Sequence, residues 1–428
     1  MLITYAILDK KIVFSLAHQE KISAFVETQY GFFAYSASLR ESYVFVFFIT
    51  IMTFVLINNP LWATTDNDYW QLPIPLQGDA PQAHHPVTHD ISPKSCTLCH
   101  KKQADEWKDS YHAKAASAGL IGQLHYFDQD SAESCLSCHT PRSEQIEAWQ
   151  NQTVNFKATG IDCASCHLRQ HQRYGANSKI TPVHGTVQAR PLFKQADFCS
   201  RCHQFSGGRG LKLAGSFLEN THQEWQQSKW SKQNKTCQSC HMPNGSHRFK
   251  GIHNAEMTRS ALTIKAIRKA TGFSLSLTNQ FAGHALPTYA TPRISVTLKS
   301  SDGKNVKTHI IQRQLFLDKQ QNLQQKADTR LQAGETVKLF LALNPQQQAI
   351  ASIRVEPDHF YQQVIYPYFL EDSDNDELDE EDKQAQQLLL KAKNTKRDYT
   401  LYDIQCPSWQ QKDQHCTLLP QPPGEIIK

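Results

Sequence analysis

Five times between residues 96 and 241 the chain repeats Cys-x-x-Cys-His: Cys96, Cys99 and His100; Cys135, Cys138 and His139; Cys163, Cys166 and His167; Cys199, Cys202 and His203; Cys237, Cys240 and His241. These motifs use all but two of its twelve cysteines, whereas the chain's own Cys and His frequencies give about 0.02 chance matches. The spacing suits covalent haem. Two thiols add across the two vinyl groups of one porphyrin, and the adjoining histidine reaches the iron from one side. Zinc is the alternative, because Cys-x-x-Cys pairs combine two by two into tetrahedral sites. Five is an odd number of pairs, however, and zinc gives no reason for a histidine after every second cysteine. The motifs predict five covalently bound haem c groups, with thioether bonds at the ten cysteines and His100, His139, His167, His203 and His241 as proximal iron ligands.

That density constrains the fold. About 29 residues per porphyrin is too few to enclose each macrocycle separately, so the haems must supply much of the core and pack against one another. The expectation for residues 94–260 is a pentahaem cytochrome c domain of short helices and long loops, with ADEWKDSYHAKAA at 104–116 the clearest helix. From about residue 261 the pattern changes. FSLSL (273–277), ISVTL (294–298) and TVKLFLAL (336–343) alternate with period two, and turn signals lie at Asp302-Gly303, Ala333-Gly334 and Asn344-Pro345. Residues 261–365 are therefore predicted to form an antiparallel β-sandwich-like domain. An acidic loop, a helix near 384–393 and a tail complete the chain over 366–428. In that tail Cys406 and Cys416 are predicted to pair as a disulfide closing a short loop.

The run EDSDNDELDEEDK (371–383) has calcium-loop spacing at Asp372, Asp374 and Asp376, yet Glu377 stands where such a loop needs glycine and Lys383 where it needs a bidentate glutamate. It reads as a solvated acidic loop, with a nonstandard calcium site as the alternative. Residues 1–63 read as a signal-peptide region: YVFVFFITIMTFVLI (43–57) follows Arg40 and precedes a plausible cleavage point after Ala63. The preceding extension is long for a signal, which points to a true start near Leu39. Haem c attachment follows export, so a periplasmic or extracellular location is expected, with membrane attachment only if the segment is retained. Residues 64–93 read as an extended arm, in which His84, His85 and His89 are solvated.

The formal charge is +5. Between residues 92 and 260, 21 Lys and Arg face 13 Asp and Glu, and haem propionates are the simplest partners for that excess. There is no nucleic-acid motif.

Several stretches resemble a known family, the exported multihaem cytochromes c related to the tetrahaem cytochrome of ammonia-oxidising bacteria. The likeness covers about residues 70–365. It includes Trp107, Ser110 and His112 after the first motif, HGTVQARPLFKQADFCSRCHQF at 184–205, ENTHQEW at 219–225, TCQSCHMPNGSHRFKGIHNAEM at 236–257 and AGHALPT at 282–288. The resemblance implies distal iron ligands at His112, His184, His247, His253 and His284, with His125, His171 and His222 as reserves. Five proximal and five distal histidines would close every iron with two imidazoles, giving low-spin centres suited to electron transfer between redox proteins. His284 would also dock the β domain onto the haems.

Three functions remain open at this level. The histidine tally favours an electron carrier over an enzyme. A reductase or oxidase of nitrite, hydroxylamine or a similar small molecule would keep one haem open. A filament-forming extracellular cytochrome would self-associate and could borrow a histidine from a neighbouring subunit's arm.

Overall fold

The computed structural model describes residues 4–8, 11–15, 69–80, 90–152, 159–206, 210–371 and 378–420. The 43–57 segment, the three arm histidines and the 372–377 acids lie outside these. Thr4–Leu8 and Lys11–Ser15 pair as an antiparallel hairpin. No described helix is long and apolar enough to cross a membrane.

From residue 93 to 261 the chain runs through short helices. The motifs sit on Pro93–Thr97, Gln129–His139, Cys163–His167, Asp197–His203 and Cys237–His241. Residues three and four apart share a helix face, so on the last four helices both cysteines and the histidine of a motif point the same way. The first motif differs. Cys96 is helical, whereas Cys99 and His100 fall in the turn before the next helix, Lys101–Trp107. Local polar residues start these helices. The Asp128 carboxylate accepts from Ser131 N at 2.9 Å, and Asp162 and Ser165 form a reciprocal capping box ahead of Cys163. Asp162 is in turn gripped by buried Arg142 at 2.8 Å. The helix expected over 104–116 is shorter: Lys101–Trp107 is helical and 108–116 are turns. Ser110 accounts for the break, since its N–H donates to Trp107 O and its hydroxyl accepts from Ala113 N.

Two antiparallel sheets follow. One has the order Thr336–Ala342, Gly272–Asn279, Leu262–Lys269, Gln414–His415; the other Val306–Ile311, Arg293–Ser300, Ala349–Glu356, Tyr399–Cys406, Thr417–Pro420. Alternation sets the core: Phe273, Leu275 and Leu277 of one sheet and Val296, Leu298 and Ile353 of the other are fully buried in one cluster. The residues after 398, read from sequence as a tail, thus supply an edge strand to one sheet and two strands to the other. Cys406 and Cys416 are disulfide-bonded between these strands. The acidic stretch leads into helix Glu380–Asn394, capped by Asp379. It packs on helix Ala118–Leu124, where a Cβ at Gly122 would lie 2.9 Å from Ala385 O, so glycine permits the close crossing.

Candidate functional site

Four of the five motif histidines face a second histidine across a similar gap. Ring centroids are 5.9 Å apart for His100–His184 and 6.2 Å for His112–His203, His167–His247 and His241–His284. The separation has a chemical meaning. A transition metal bonds an imidazole nitrogen at about 2.0 Å and the ring centre lies about 1.1 Å further, so two imidazoles on opposite sides of one ion stand about 6.2 Å apart. The four separations match that spacing.

The other ring nitrogen supports the same reading. Nδ1 of His139, His167, His241, His247 and His284 lies 2.7–3.0 Å from the backbone oxygen of Ala115, Tyr174, Lys250, Gly245 and Ala285 respectively. Donation through Nδ1 leaves Nε2 bare, the arrangement that metal-ligating histidines use to fix tautomer and orientation. Burial pushes His112 down to about 3 and His203 and His284 to about 4. It also lowers His139, His167, His184 and His247. These imidazoles are neutral at physiological pH, the form that binds iron.

Each of the four histidines that face a motif histidine has its own support. Trp107 Nε1 donates to Ile161 O at 2.8 Å, Ile161 N donates to His112 O at 2.9 Å, and a Cβ on Gly160 would strike that carbonyl. The Trp-x-x-Ser-x-His stretch is thereby tied to the start of the third motif. His247 is held by its N–H on Glu106 at 2.8 Å, His184 by its N–H on Thr181 at 2.9 Å, and His284 by Asn279 Nδ2 on its carbonyl at 2.8 Å.

His253 departs from the expectation. The structure does not bring it opposite a proximal histidine: its Nε2 lies 2.9 Å from Asp358, which also accepts from Arg397 at 2.6 Å, and its ring stacks on Tyr111 at 3.8 Å. The physical reason is the carboxylate, which engages the nitrogen that iron would need. His139 faces no other histidine ring among the described residues. The reserve histidines are elsewhere engaged or placed: His125 Nε2 is 2.8 Å from Asp382, His171 Nε2 is 2.9 Å from Gly78 O, and His222 lies 3.6 Å from Asp197.

The ten predicted thioether cysteines do not share one setting. Cys96, Cys135, Cys138, Cys163, Cys166, Cys199, Cys202 and Cys237 are half-buried, whereas Cys99 and Cys240 are exposed. Cys99 stands in the turn between two helices, its N–H donating to Cys96 O at 3.3 Å. Cys202 sits one residue before His203 on Asp197–His203 and lies within electrostatic reach of Tyr289, so its surroundings include the β domain.

The motifs cluster in pairs through their first cysteines. Cys96 lies beside Cys163, and Cys199 beside Cys237. Phe193 stacks on His167 at 5.3 Å and packs on Phe198 at 4.6 Å, joining the third motif to the fourth. His203 of the fourth is within electrostatic reach of His139 and His241. None of the ten motif cysteines forms a disulfide. No group of three or more His, Cys, Asp and Glu side chains converges as a metal-ion site among the described residues, so the cysteines are not arranged as tetrahedral zinc centres. Spread along paired helices, with opposed imidazoles, they fit haem c.

Residues 95–168 match the family model described as cytochrome c554 and c-prime. Over 132 residues the chain is 26% identical to cytochrome c-554 of Nitrosomonas europaea, an alignment covering 26% of this chain and 55% of that protein. The chain therefore spans about half the length of this curated relative. A penta-haem cytochrome c552 from Thermochromatium tepidum superposes over 64% of this chain and 92% of its own, at 19% identity and a TM-score of 0.47.

Proposed function

We propose that this relative of cytochrome c554 is an exported pentahaem c-type cytochrome that passes single electrons between redox proteins. The observation that carries the reading is the set of four imidazole pairs at 5.9–6.2 Å. Haem c, when bound, supplies the one-electron Fe(III)/Fe(II) step. The chain's residues do the rest. All ten cysteines, Cys99 and Cys202 among them, would fix the macrocycles. His100 with His184, His167 with His247, His203 with His112 and His241 with His284 would close the irons of motifs one, three, four and five. Low-spin iron with both axial positions filled changes little on reduction, which suits outer-sphere transfer. The motif contacts suggest the order one, three, four, with two and five both adjoining four.

His139 supports a second reading. With His253 bound to Asp358, the second-motif iron would keep an accessible face, as a reductase or oxidase of a small nitrogen compound needs, or would take a histidine from another subunit, as a filament needs. Electron paramagnetic resonance of the oxidised holoprotein tests both. Four low-spin signals and one high-spin signal that shifts with cyanide or nitrite support the open haem. Five low-spin signals in a monomer favour a pure carrier, and five only in assembled particles favour the filament. A colourless product from a host with intact maturation overturns the whole assignment.

A further inference from the structure

Outside the ligating set, Glu219 is a buried acid, 7% exposed, with no cationic partner among the described residues. Its Oε1 is 2.5 Å from Thr221 Oγ1, which is 2.7 Å from Thr288 Oγ1, which is 3.0 Å from Glu224 Oε2. Glu224 receives Arg330 Nη1 at 3.1 Å and Ala285 N at 3.0 Å. Thr221 donates to Glu219 Oε1 through its hydroxyl and, at 3.3 Å, through its N–H, and Thr288 donates to Glu224. Burial pushes the Glu219 carboxyl up to about 8, the nearby Glu224 charge adding to the rise.

The same loop reaches the iron site. Tyr289, next to Thr288, places its hydroxyl 2.6 Å from His203 Nδ1 and within electrostatic reach of Glu219. The groups facing Glu219 are Glu224 on the helix that follows it, Tyr289 and Thr288 from the β domain, and Cys138 from the second motif, which carries no charge as a thioether. Arg330 and Asp328 stand beyond Glu224.

Building on the haem assignment of the fourth motif, we infer that Glu219 is a redox-linked proton site: it holds a proton while the iron on His203 is Fe(II) and releases it when that iron becomes Fe(III). The step balances. One electron arrives from a reduced protein partner as one proton is taken from solvent, and both leave on oxidation, so the buried charge is unchanged. The hydroxyls of Thr221 and Thr288 join Glu219 to Glu224 within the same buried cluster.

Spectroelectrochemical titration of the intact holoprotein from pH 6 to pH 10 tests this. One of the haem midpoints should fall with pH through the window around 8, with a slope approaching about 59 mV per pH unit, a tenfold change in equilibrium constant per unit. In Glu219→Gln that midpoint should be flat. An unchanged slope in the variant overturns the inference, as does a wild-type midpoint that never moves. Should the variant lose a haem, the wild-type redox-difference infrared spectrum decides: a protonated-carboxyl band that vanishes on oxidation is expected, and its absence overturns the proposal. Peptide mass showing no haem at Cys199 and Cys202 would instead fault the underlying haem assignment.

Discussion

Replacing Arg313 by methionine tests how the β domain holds the cytochrome region. The side chain is 1% exposed and its guanidinium donates to Phe217 O at 2.5 Å, Ser216 O at 2.9 Å, Leu213 O at 3.0 Å and Gln325 Oε1 at 2.7 Å. Three of these acceptors are the backbone of one short hairpin before Glu219. A hydrogen bond from a charged donor contributes about 1.5–3 kcal/mol, so three give roughly 5–9 kcal/mol gross. Burying the cation with Asp328 and Glu224 acting only from beyond ion-pair distance costs several kcal/mol in return. Methionine keeps the stem and abolishes both terms, leaving a net loss of roughly 2–4 kcal/mol localised at the hairpin. Hydrogen exchange of the holoprotein should show the 211–218 amides opening about 30- to 1,000-fold faster, at 1.36 kcal/mol per tenfold. Haem content and the Soret band serve as controls. Protection within threefold of wild type would refute the reasoning, and so would uniform loosening of both sheets.

Further outcomes follow from the same geometry. His284→Ala should convert one low-spin iron to high spin in the resonance spectrum, and an unchanged low-spin count would remove His284 from the ligand set. His253→Ala should leave the low-spin count as it is while speeding exchange at the neighbours of Asp358; loss of one low-spin signal would restore His253 as a ligand. Cys406→Ser opens a loop of sequence separation 10, and denaturant titration should register a loss of about 2–3 kcal/mol; no change in midpoint would show that strand pairing alone sets the closure.

What is legible in the sequence is what short-range chemistry specifies. The motif residues read directly because two thioether bonds and one iron bond demand a fixed local spacing. That spacing is silent on surroundings: Cys99 in its turn and Cys202 on its helix carry the same motif in different settings. Phe273, Leu275 and Leu277, or Ile294, Val296 and Leu298, read as strands because every second residue enters the core. Strand Tyr399–Cys406 is hidden by its own irregularity: Tyr399 and Leu401 face the core, the register shifts, and Ile404 and Cys406 resume on the other phase. A bulge of this kind breaks the period-two signal without breaking the strand. His253 misleads for a different reason. Its spacing from the fifth motif suits a ligand, but Asp358 lies 105 residues away, and no local pattern announces that such a carboxylate will reach it. The Glu219 cluster is equally invisible, since Thr221 and Thr288 are 67 residues apart.

The lacing of both sheets by residues 399–420 also imposes an order on manufacture. A polypeptide emerges amino end first, so all five Cys-x-x-Cys-His motifs are available before the sandwich has its final strands. His284 sits on that unfinished domain. If haem binds as proposed, maturation would pass through a species in which the motifs are loaded while the sandwich that carries His284 still lacks its last strands.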